Sequence, residues 1–252
     1  MTVAKVLEQI RGPLLADGKI DFGETSVISR TIRPFVLNGD ADAVLLQRLL
    51  DRFRADGVID PDESRQLVEA LEHLASRQPR LAEYVRAIPD FPKPGVLFRD
   101  VTGILDTAEG FTLALNEMSE KLDGCEFDVV AAPESRGFIF GSALAARFGK
   151  AFVPIRKPGK LPRVTIHEDY DLEYGKATLH MHADAIISGE RVVIVDDLLA
   201  TGGTAAAAAR LVERLGGIVA KMLFPLELEG FSARTGLLAK YDVSSLVRYP
   251  GR

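Results

Sequence analysis

One segment constrains the fold of this chain more than any other. The apolar run Arg191–Val195 ends in two adjacent carboxylates, Asp196 and Asp197, and is followed by a small-residue loop, Ala200–Thr204. The alanines at 205–209 then begin a helical pattern. A short buried strand that passes through a glycine-containing loop into a helix is typical of a parallel α/β sheet. The segment therefore predicts a ligand site at the carboxyl end of this strand.

The same alternation of strand and helix extends through most of the chain. Further apolar runs predict strands at Phe127–Ala132, Ala151–Ile155, Ile218–Phe224 and Val243–Val247. Helical patterns lie between them, at Glu109–Leu122, Gly137–Phe148 and Gly203–Leu215. Near-continuously apolar strands that alternate with helices indicate a Rossmann-like parallel sheet covered on both faces.

The first third of the chain contains a repeat with a different texture. Ala16–Glu24 and Ala55–Glu63 share the pattern Ala-Asp-Gly-x-Ile-Asp-x-x-Glu. In each copy Asp-Gly supplies a turn, the isoleucine is placed to enter a core, and the second aspartate and the glutamate form a capping-box pattern. We predict a small all-α domain of two helix-turn-helix repeats over residues 1–78, followed by an α/β domain over 79–252 that carries the predicted ligand site.

The repeated string is also similar to the second half of an EF-hand loop. Calcium binding needs oxygen ligands at the first and third loop positions as well. Those positions hold Pro13 and Leu15 in one copy and Arg52 and Arg54 in the other. The string resembles degenerate EF-hand-like and tellurite-resistance-type helical domains, a resemblance that implies no chemistry for residues 1–78.

Charge and composition exclude several classes of function. The chain has 31 Lys and Arg against 36 Asp and Glu, a net charge of −5, which offers no field for attracting nucleic acid or an acidic membrane. A single cysteine, Cys125, excludes an intramolecular disulfide and a multi-cysteine zinc site. No window approaches about 18 apolar residues. We expect a cytoplasmic protein without nucleic-acid or membrane partners.

The loop Ala200–Thr204, which follows the predicted strand Arg191–Val195, has the composition of a phosphate site. Glycines let backbone N–H groups approach an anion, Thr201 and Thr204 add hydroxyl donors, and a helix N-terminus favours negative charge. Asp196 and Asp197 would repel a phosphate unless they bind something else, such as ribose hydroxyls, directly or around a metal. The combination predicts a ribose 5-phosphate site. Walker-type and dinucleotide glycine motifs are absent from the sequence.

Val193–Thr204 resembles the phosphoribosyl pyrophosphate (PRPP) motif of type I phosphoribosyltransferases. Four further segments resemble motifs of the adenine phosphoribosyltransferases within that family. They are the base-covering segment Phe91–Asp100, the pyrophosphate loop Glu134–Phe138, and the start and end of a flexible catalytic loop, Arg156–Pro162 and Tyr170–Gly175. The resemblance runs from about Pro79 to Tyr249.

The resemblance implies the reaction of adenine with PRPP to give AMP and pyrophosphate, in a homodimer. It implies Glu173 and Arg156 as catalytic residues, and Leu97, Phe98 and Arg99 as adenine-binding residues. The implied PRPP-binding residues are Asp196, Asp197, Ala200, Thr201, Gly202, Gly203, Thr204, Arg136, Lys157 and Lys160. Mg²⁺ is the expected cofactor, held through PRPP and water near the two aspartates rather than by a direct side-chain ligand.

Two alternatives stay open at this point. Transfer to guanine, hypoxanthine or xanthine would use the same PRPP site with a different base pocket. A PRPP-binding regulatory protein would use residues 1–78 for a partner and would have no need of Glu173 or a catalytic loop.

Overall fold

The computed structural model describes residues 3–38, 40–76, 80–171 and 176–251. Internal contacts divide the chain into two compact units, residues 1–110 and 111–252. The first unit thus holds the repeat segment and some of the chain that follows it, and the domain boundary expected near residue 78 stays a prediction. Within the described residues, no helix is both long and apolar enough to cross a membrane.

Four helices form the larger part of the first unit: α1 (Val3–Leu14), α2 (Phe22–Leu37), α3 (Ala41–Phe53) and α4 (Pro61–Ser76). Helix α1 packs on α2 and α4, and α3 packs on the same two helices. Their apolar faces form a common core whose fully buried members include Leu7, Ile28, Ile32, Leu50 and Leu67. The predicted helical bundle is confirmed.

The two repeat turns adopt the predicted caps. Asp21 Oδ1 accepts a hydrogen bond of 2.8 Å from the Glu24 N–H, and Glu24 Oε2 accepts one of 2.8 Å from the Asp21 N–H. Asp60 and Glu63 repeat this capping box. Ile20 is buried in the helical core, where its N–H also donates to Ser64 Oγ at 2.8 Å. Each turn therefore caps one helix, and the first is tied to the helix of the second repeat.

A short antiparallel hairpin completes the first unit. A 3-10 helix (Leu81–Tyr84) leads into β1 (Arg86–Pro89), which pairs with β2 (Leu97–Asp100) and is followed by α5 (Thr102–Leu105). The apolar patterns of the sequence did not indicate this hairpin, because its strands are only four residues long and neither contains a buried residue.

The second unit is the predicted α/β sheet. Its strands are β3 (Val129–Pro133), β4 (Ala151–Ile155), β7 (Arg191–Val195), the short β8 (Leu198–Leu199), β9 (Ile218–Glu229) and β10 (Val243–Pro250). Its helices are α6 (Ala108–Glu120), whose first residues belong to the first unit, α7 (Arg136–Phe148) and α8 (Gly203–Arg214). All the sheet pairings are parallel, in the order β10-β9-β7-β3-β4, with β8 beside β9.

This strand order creates a topological switch point between β3 and β7. From β3 the chain moves outward to β4 on one side and later to β7, β9 and β10 on the other. Connections leave the two central strands in opposite directions, so a crevice opens outside their carboxyl ends, where ligands of open α/β sheets bind. Residues 134–136 follow β3 and Asp196–Asp197 follow β7 at this crevice.

A second hairpin replaces most of the expected flexible loop. The resemblance implies a flexible loop that starts at Arg156–Pro162 and ends at Tyr170–Gly175, but β5 (Thr165–Asp171) pairs antiparallel with β6 (Lys176–His182). That prediction was wrong for β5, because Ile166 and Tyr170 alternate with polar residues and pack against the core of the second unit. Residues 172–175, including the predicted catalytic Glu173, lie outside the described residues.

Candidate functional site

The loop between β7 and α8 lines a small cavity of about 90 Å³. Its lining residues come from the loop itself, from Asp196 at the end of β7 and from one side chain of β9. They are Asp196, Leu198, Leu199, Ala200, Thr201, Gly202, Gly203, Thr204, Ala205 and Phe224. The structure thus brings together six of the ten residues predicted to bind PRPP.

Gly202 determines the conformation of the loop Ala200–Thr204, here named the phosphate loop after the ligand predicted for it. It has φ 82° and ψ 0°, a left-handed conformation that favours glycine, and its carbonyl accepts the Ala206 N–H at 2.9 Å as α8 begins. The turn leaves the first N–H groups of α8 without partners inside the helix, and these groups together with the helix dipole favour an anion. Thr204 Oγ1, in the first turn of α8, lies 3.4 Å from the hydroxyl of Tyr170 on β5.

The acidic pair lies at the switch point beside the phosphate loop. The Asp197 N–H donates to Asp196 Oδ1 at 2.9 Å, and the Asp197 carboxylate forms an ion pair with Arg136 from the start of α7. Asp197 is buried, whereas the Arg136 side chain is 48% exposed. Burial, followed by the neighbouring Asp197 carboxylate, raises the pKa of Asp196 well above its ordinary value.

Gly137 allows α7 to approach the acidic pair. A β-carbon at this position would lie 2.9 Å from Asp196 Oδ1 and 3.0 Å from the carbonyl oxygen of Val195. Both distances are shorter than van der Waals contact, so only glycine fits without moving the helix. Because α7 packs this closely against the end of β7, Arg136, which follows β3 in the chain, can reach Asp197.

Glu134 organises the opposite side of the crevice. Its carboxylate accepts a 2.6 Å hydrogen bond from Arg156 Nε and a 3.2 Å bond from the Lys157 N–H, and Arg156 Nη1 donates to the Lys160 carbonyl at 3.1 Å. Burial alone would raise the pKa of Glu134, but the hydrogen bonds from Arg156 and Lys157 outweigh it and lower that pKa. Arg156 therefore anchors the loop that carries Lys157 and Lys160, both of them exposed.

The β5–β6 hairpin is fixed to the helix that begins at the phosphate loop. Glu168 of β5 accepts a 2.5 Å hydrogen bond from Arg210 Nε and lies 3.3 Å from Arg214 Nη1, both on α8. These contacts hold β5 against α8.

The predicted adenine-binding residues lie on β2 of the first unit. Leu97 is half-exposed, and the ring of Phe98 makes an edge contact with Phe91 at a centroid distance of 5.1 Å. Arg99 follows on the same strand, opposite Ala87 of β1. The role of these three residues in binding a base stays a prediction.

Comparisons with known proteins agree with this geometry. Residues 102–224 match the family model described as "Phosphoribosyl transferase domain". The chain is 55% identical over 170 residues to adenine phosphoribosyltransferase of Agathobacter rectalis, covering 68% of this chain and 97% of that protein. It is 56% identical over 173 residues to the enzyme of Butyrivibrio fibrisolvens, covering 69% and 95%.

The chain belongs to the adenine phosphoribosyltransferase family. A crystal structure of the Thermoanaerobacter pseudethanolicus adenine phosphoribosyltransferase superposes with a TM-score of 0.64 at 51% identity, covering 66% of this chain and 96% of that one. The Saccharomyces cerevisiae adenine phosphoribosyltransferase, solved with an imino-altritol bisphosphate and adenine, gives a TM-score of 0.61 at 36% identity over 65% and 94%. These family members leave about a third of this chain unmatched.

Two contacts at this site were not predicted from the sequence. Tyr170 approaches Thr204 because β5 packs against α8, and only the alternation of apolar residues in β5 could have signalled this contact. Glu134 lies within a motif that the sequence indicates, yet its pairing with Arg156 joins positions 22 residues apart. Neither contact has a local pattern of its own.

Proposed function

We propose that this chain transfers the phosphoribosyl group of PRPP to adenine, forming AMP and releasing pyrophosphate. One observation carries the proposal. Two adjacent aspartates, of which Asp197 is buried, lie beside a glycine-containing loop at a topological switch point, and Arg136 from the start of α7 pairs with Asp197. Membership of the adenine phosphoribosyltransferase family supports adenine as the base.

Binding of PRPP gives Asp197 and Arg136 new hydrogen-bond partners. The 5-phosphate accepts hydrogen bonds from the N–H groups and hydroxyls of Ala200–Thr204, and the ribose hydroxyls donate to Asp196 and Asp197. Arg136, whose side chain is half-exposed, leaves Asp197 and pairs with the pyrophosphate. The hydroxyls then replace the guanidinium as partners of the Asp197 carboxylate, so this buried group is never left uncompensated.

The residues present fit a magnesium ion that arrives with PRPP. Carboxylate oxygens suit Mg²⁺, and the Asp197 carboxylate is already paired with Arg136. The two aspartates are therefore placed to hold the ion through water and ribose oxygens rather than directly. When bound, Mg²⁺ neutralises charge that develops on the departing pyrophosphate.

The chain's own cations and carboxylates assist the transfer. The bond from the anomeric carbon to pyrophosphate breaks through an oxocarbenium-like state, with negative charge developing on the leaving group. Arg156 holds the loop through Glu134, and Lys157 and Lys160 supply cations to the pyrophosphate. Glu173 accepts or shares the purine ring proton, and closure of the catalytic loop implied by the family resemblance excludes water.

The base and the assembly complete the proposal. Backbone groups of Leu97 read the adenine edge, while Phe98 and Arg99 pack near the ring. The protein acts as a homodimer, in keeping with the resemblance of its motifs to those of the family. A single cysteine, Cys125, fits work in a reducing cytoplasm.

A competition among purines tests the proposed substrate. The chain is supplied with PRPP, Mg²⁺ and an equimolar mixture of adenine, hypoxanthine, guanine and xanthine, and the nucleotides formed are separated by chromatography. We expect AMP to exceed every other nucleotide by a factor on the order of 10³ or more, because a mismatched base leaves buried polar groups unpaired. Formation of another nucleotide in place of AMP would refute adenine as the substrate.

Glu173→Ala separates an enzyme from a PRPP-binding regulator. The enzyme proposal predicts a fall in kcat of about 10²-fold or more with the Kd of PRPP changed less than about threefold. Glu126→Ala, which removes a loop carboxylate elsewhere on the second unit, is the matched control and should leave kcat unchanged. An unchanged kcat in the Glu173 variant would contradict the assigned role.

A further inference from the structure

The phosphate loop rests on a wall built by the chain after β9. Residues 230–242, here named the wall segment, connect β9 to β10. A β-carbon on Gly202 would lie 3.1 Å from the Ala233 β-carbon and 3.3 Å from Leu238 Cγ. Ala233 and Leu238 are both buried in the core of the second unit. The position of this segment therefore limits where the backbone of Gly202 can lie.

One ion pair holds the wall segment in place. Arg234 Nε donates to Glu227 Oε1 at 2.8 Å and Arg234 Nη2 to Glu227 Oε2 at 2.7 Å, a bidentate contact. Arg234 also donates to Ser245 Oγ at 3.0 Å and to the Val243 carbonyl, both on β10. The guanidinium thus joins the wall segment to β9 and to the edge strand β10.

Glu227 is connected to the phosphate loop through its backbone as well. It is the register partner of Leu199 on β8, a residue that lines the cavity. Its side chain is only 7% exposed; it also accepts a hydrogen bond from Ser245 Oγ and lies 3.3 Å from Arg248 Nε, so loss of Arg234 removes its bidentate partner and leaves Arg248 as the remaining cation. Contacts therefore run in a closed path from Leu199 to Glu227, through Arg234 to Ala233, and back to the loop at Gly202.

We propose that the Glu227–Arg234 pair positions the phosphate loop and so sets the affinity for PRPP. Neither residue lies among those that line the cavity, and both act as positioning residues through Ala233 and Leu199. The inference rests on the proposed function, because it takes the loop as the site of the 5-phosphate. It assigns part of the binding affinity to a segment that follows the PRPP motif by some 30 residues.

The test uses the full chain with Arg234→Met and Arg234→Lys. Methionine keeps much of the side-chain length without charge, and lysine keeps the charge without the planar fork. We expect Arg234→Met to raise the KM of PRPP and the Kd of ribose 5-phosphate about tenfold, with Arg234→Lys intermediate. The KM of adenine and kcat should change less than about twofold. Lys240→Met is the control. It removes an exposed cation of the wall segment, which pairs with Glu213 of α8, and should leave all four values unchanged.

Each result decides between positioning and simple stabilisation. A lower Tm with an unchanged KM of PRPP in the folded Arg234 variants would overturn the proposal. Ala233→Gly removes the methyl group behind Gly202 without touching the ion pair, so the same rise in the KM of PRPP is expected there and decides the matter if the arginine variants do not fold. Binding of ribose 5-phosphate needs no turnover. A chain that makes no AMP but shows the expected Kd changes would refute the proposed function alone.

Discussion

Replacing Gly202 by alanine should lower the free energy of unfolding for two reasons. The first is backbone strain, because φ is 82° and a left-handed conformation costs an L-residue roughly 1–2 kcal/mol. The second is overpacking, since the new methyl group would lie 3.1 Å from the Ala233 β-carbon, and such contacts cost about 1–3 kcal/mol in a packed core. We expect Gly202→Ala to lose about 2–5 kcal/mol of unfolding free energy in total.

Gly149→Ala is the matched control for the strain alone. Gly149 ends α7 with φ 62°, and a β-carbon there would meet no atom within 4 Å. Urea unfolding of the full chain should therefore show a loss of about 1–2 kcal/mol for Gly149→Ala, with no change in the KM of PRPP. Gly202→Ala should lose more and raise the KM of PRPP at least about tenfold, which corresponds to about 1.4 kcal/mol of binding free energy. Adding Ala233→Gly should recover part of both losses. Equal losses in the two alanine variants, with equal KM values, would refute the close wall behind Gly202.

Three further predictions follow from the same contacts. Asp197→Asn should raise the KM of PRPP at least about tenfold in steady-state assays, because it removes the charge and replaces one buried acceptor oxygen by an amide donor that faces the ribose hydroxyls; an unchanged KM would exclude that role. Asp21→Ala should lower the unfolding free energy by about 1 kcal/mol through loss of a helix cap, measured by urea unfolding, with kcat unchanged. The lowered pKa of Glu134 makes its contribution to stability present at neutral pH and lost as pH falls through that pKa, so the Tm difference between the unaltered chain and Glu134→Gln should shrink in acid. A difference independent of pH would contradict the Glu134–Arg156 pairing.

The sequence predicts those parts of the fold that depend on local patterns. β4 and β7 begin and end where the apolar runs at 151–155 and 191–195 do, because a buried strand needs a continuous apolar segment with polar ends. The repeat turns likewise have the predicted caps, since a capping box involves residues only three positions apart. The Asp-Asp and glycine pattern likewise lies between β7 and α8, as predicted, and its role as a phosphate site stays a prediction.

Contacts between distant segments could not be predicted in this way. Residues 165–171 lie in a segment expected as a loop, and the partly buried Glu168 within them pairs with Arg210 and Arg214 on a helix some 40 positions later. Gly137 next to Asp196, and Arg234 on Glu227, similarly depend on packing that no local spacing reveals. Sequence patterns thus indicate which residues carry the chemistry, and tertiary packing decides which residues hold them in place.

The location of a bound nucleotide phosphate tests the central claim most directly. In a crystal structure of the full chain with AMP, the phosphate should lie in the loop Ala200–Thr204, accepting hydrogen bonds from the backbone N–H groups at the start of α8, with the ribose hydroxyls against Asp196 and Asp197. A phosphate bound instead by the Arg156 loop, with Ala200–Thr204 making no contact to AMP, would contradict the account.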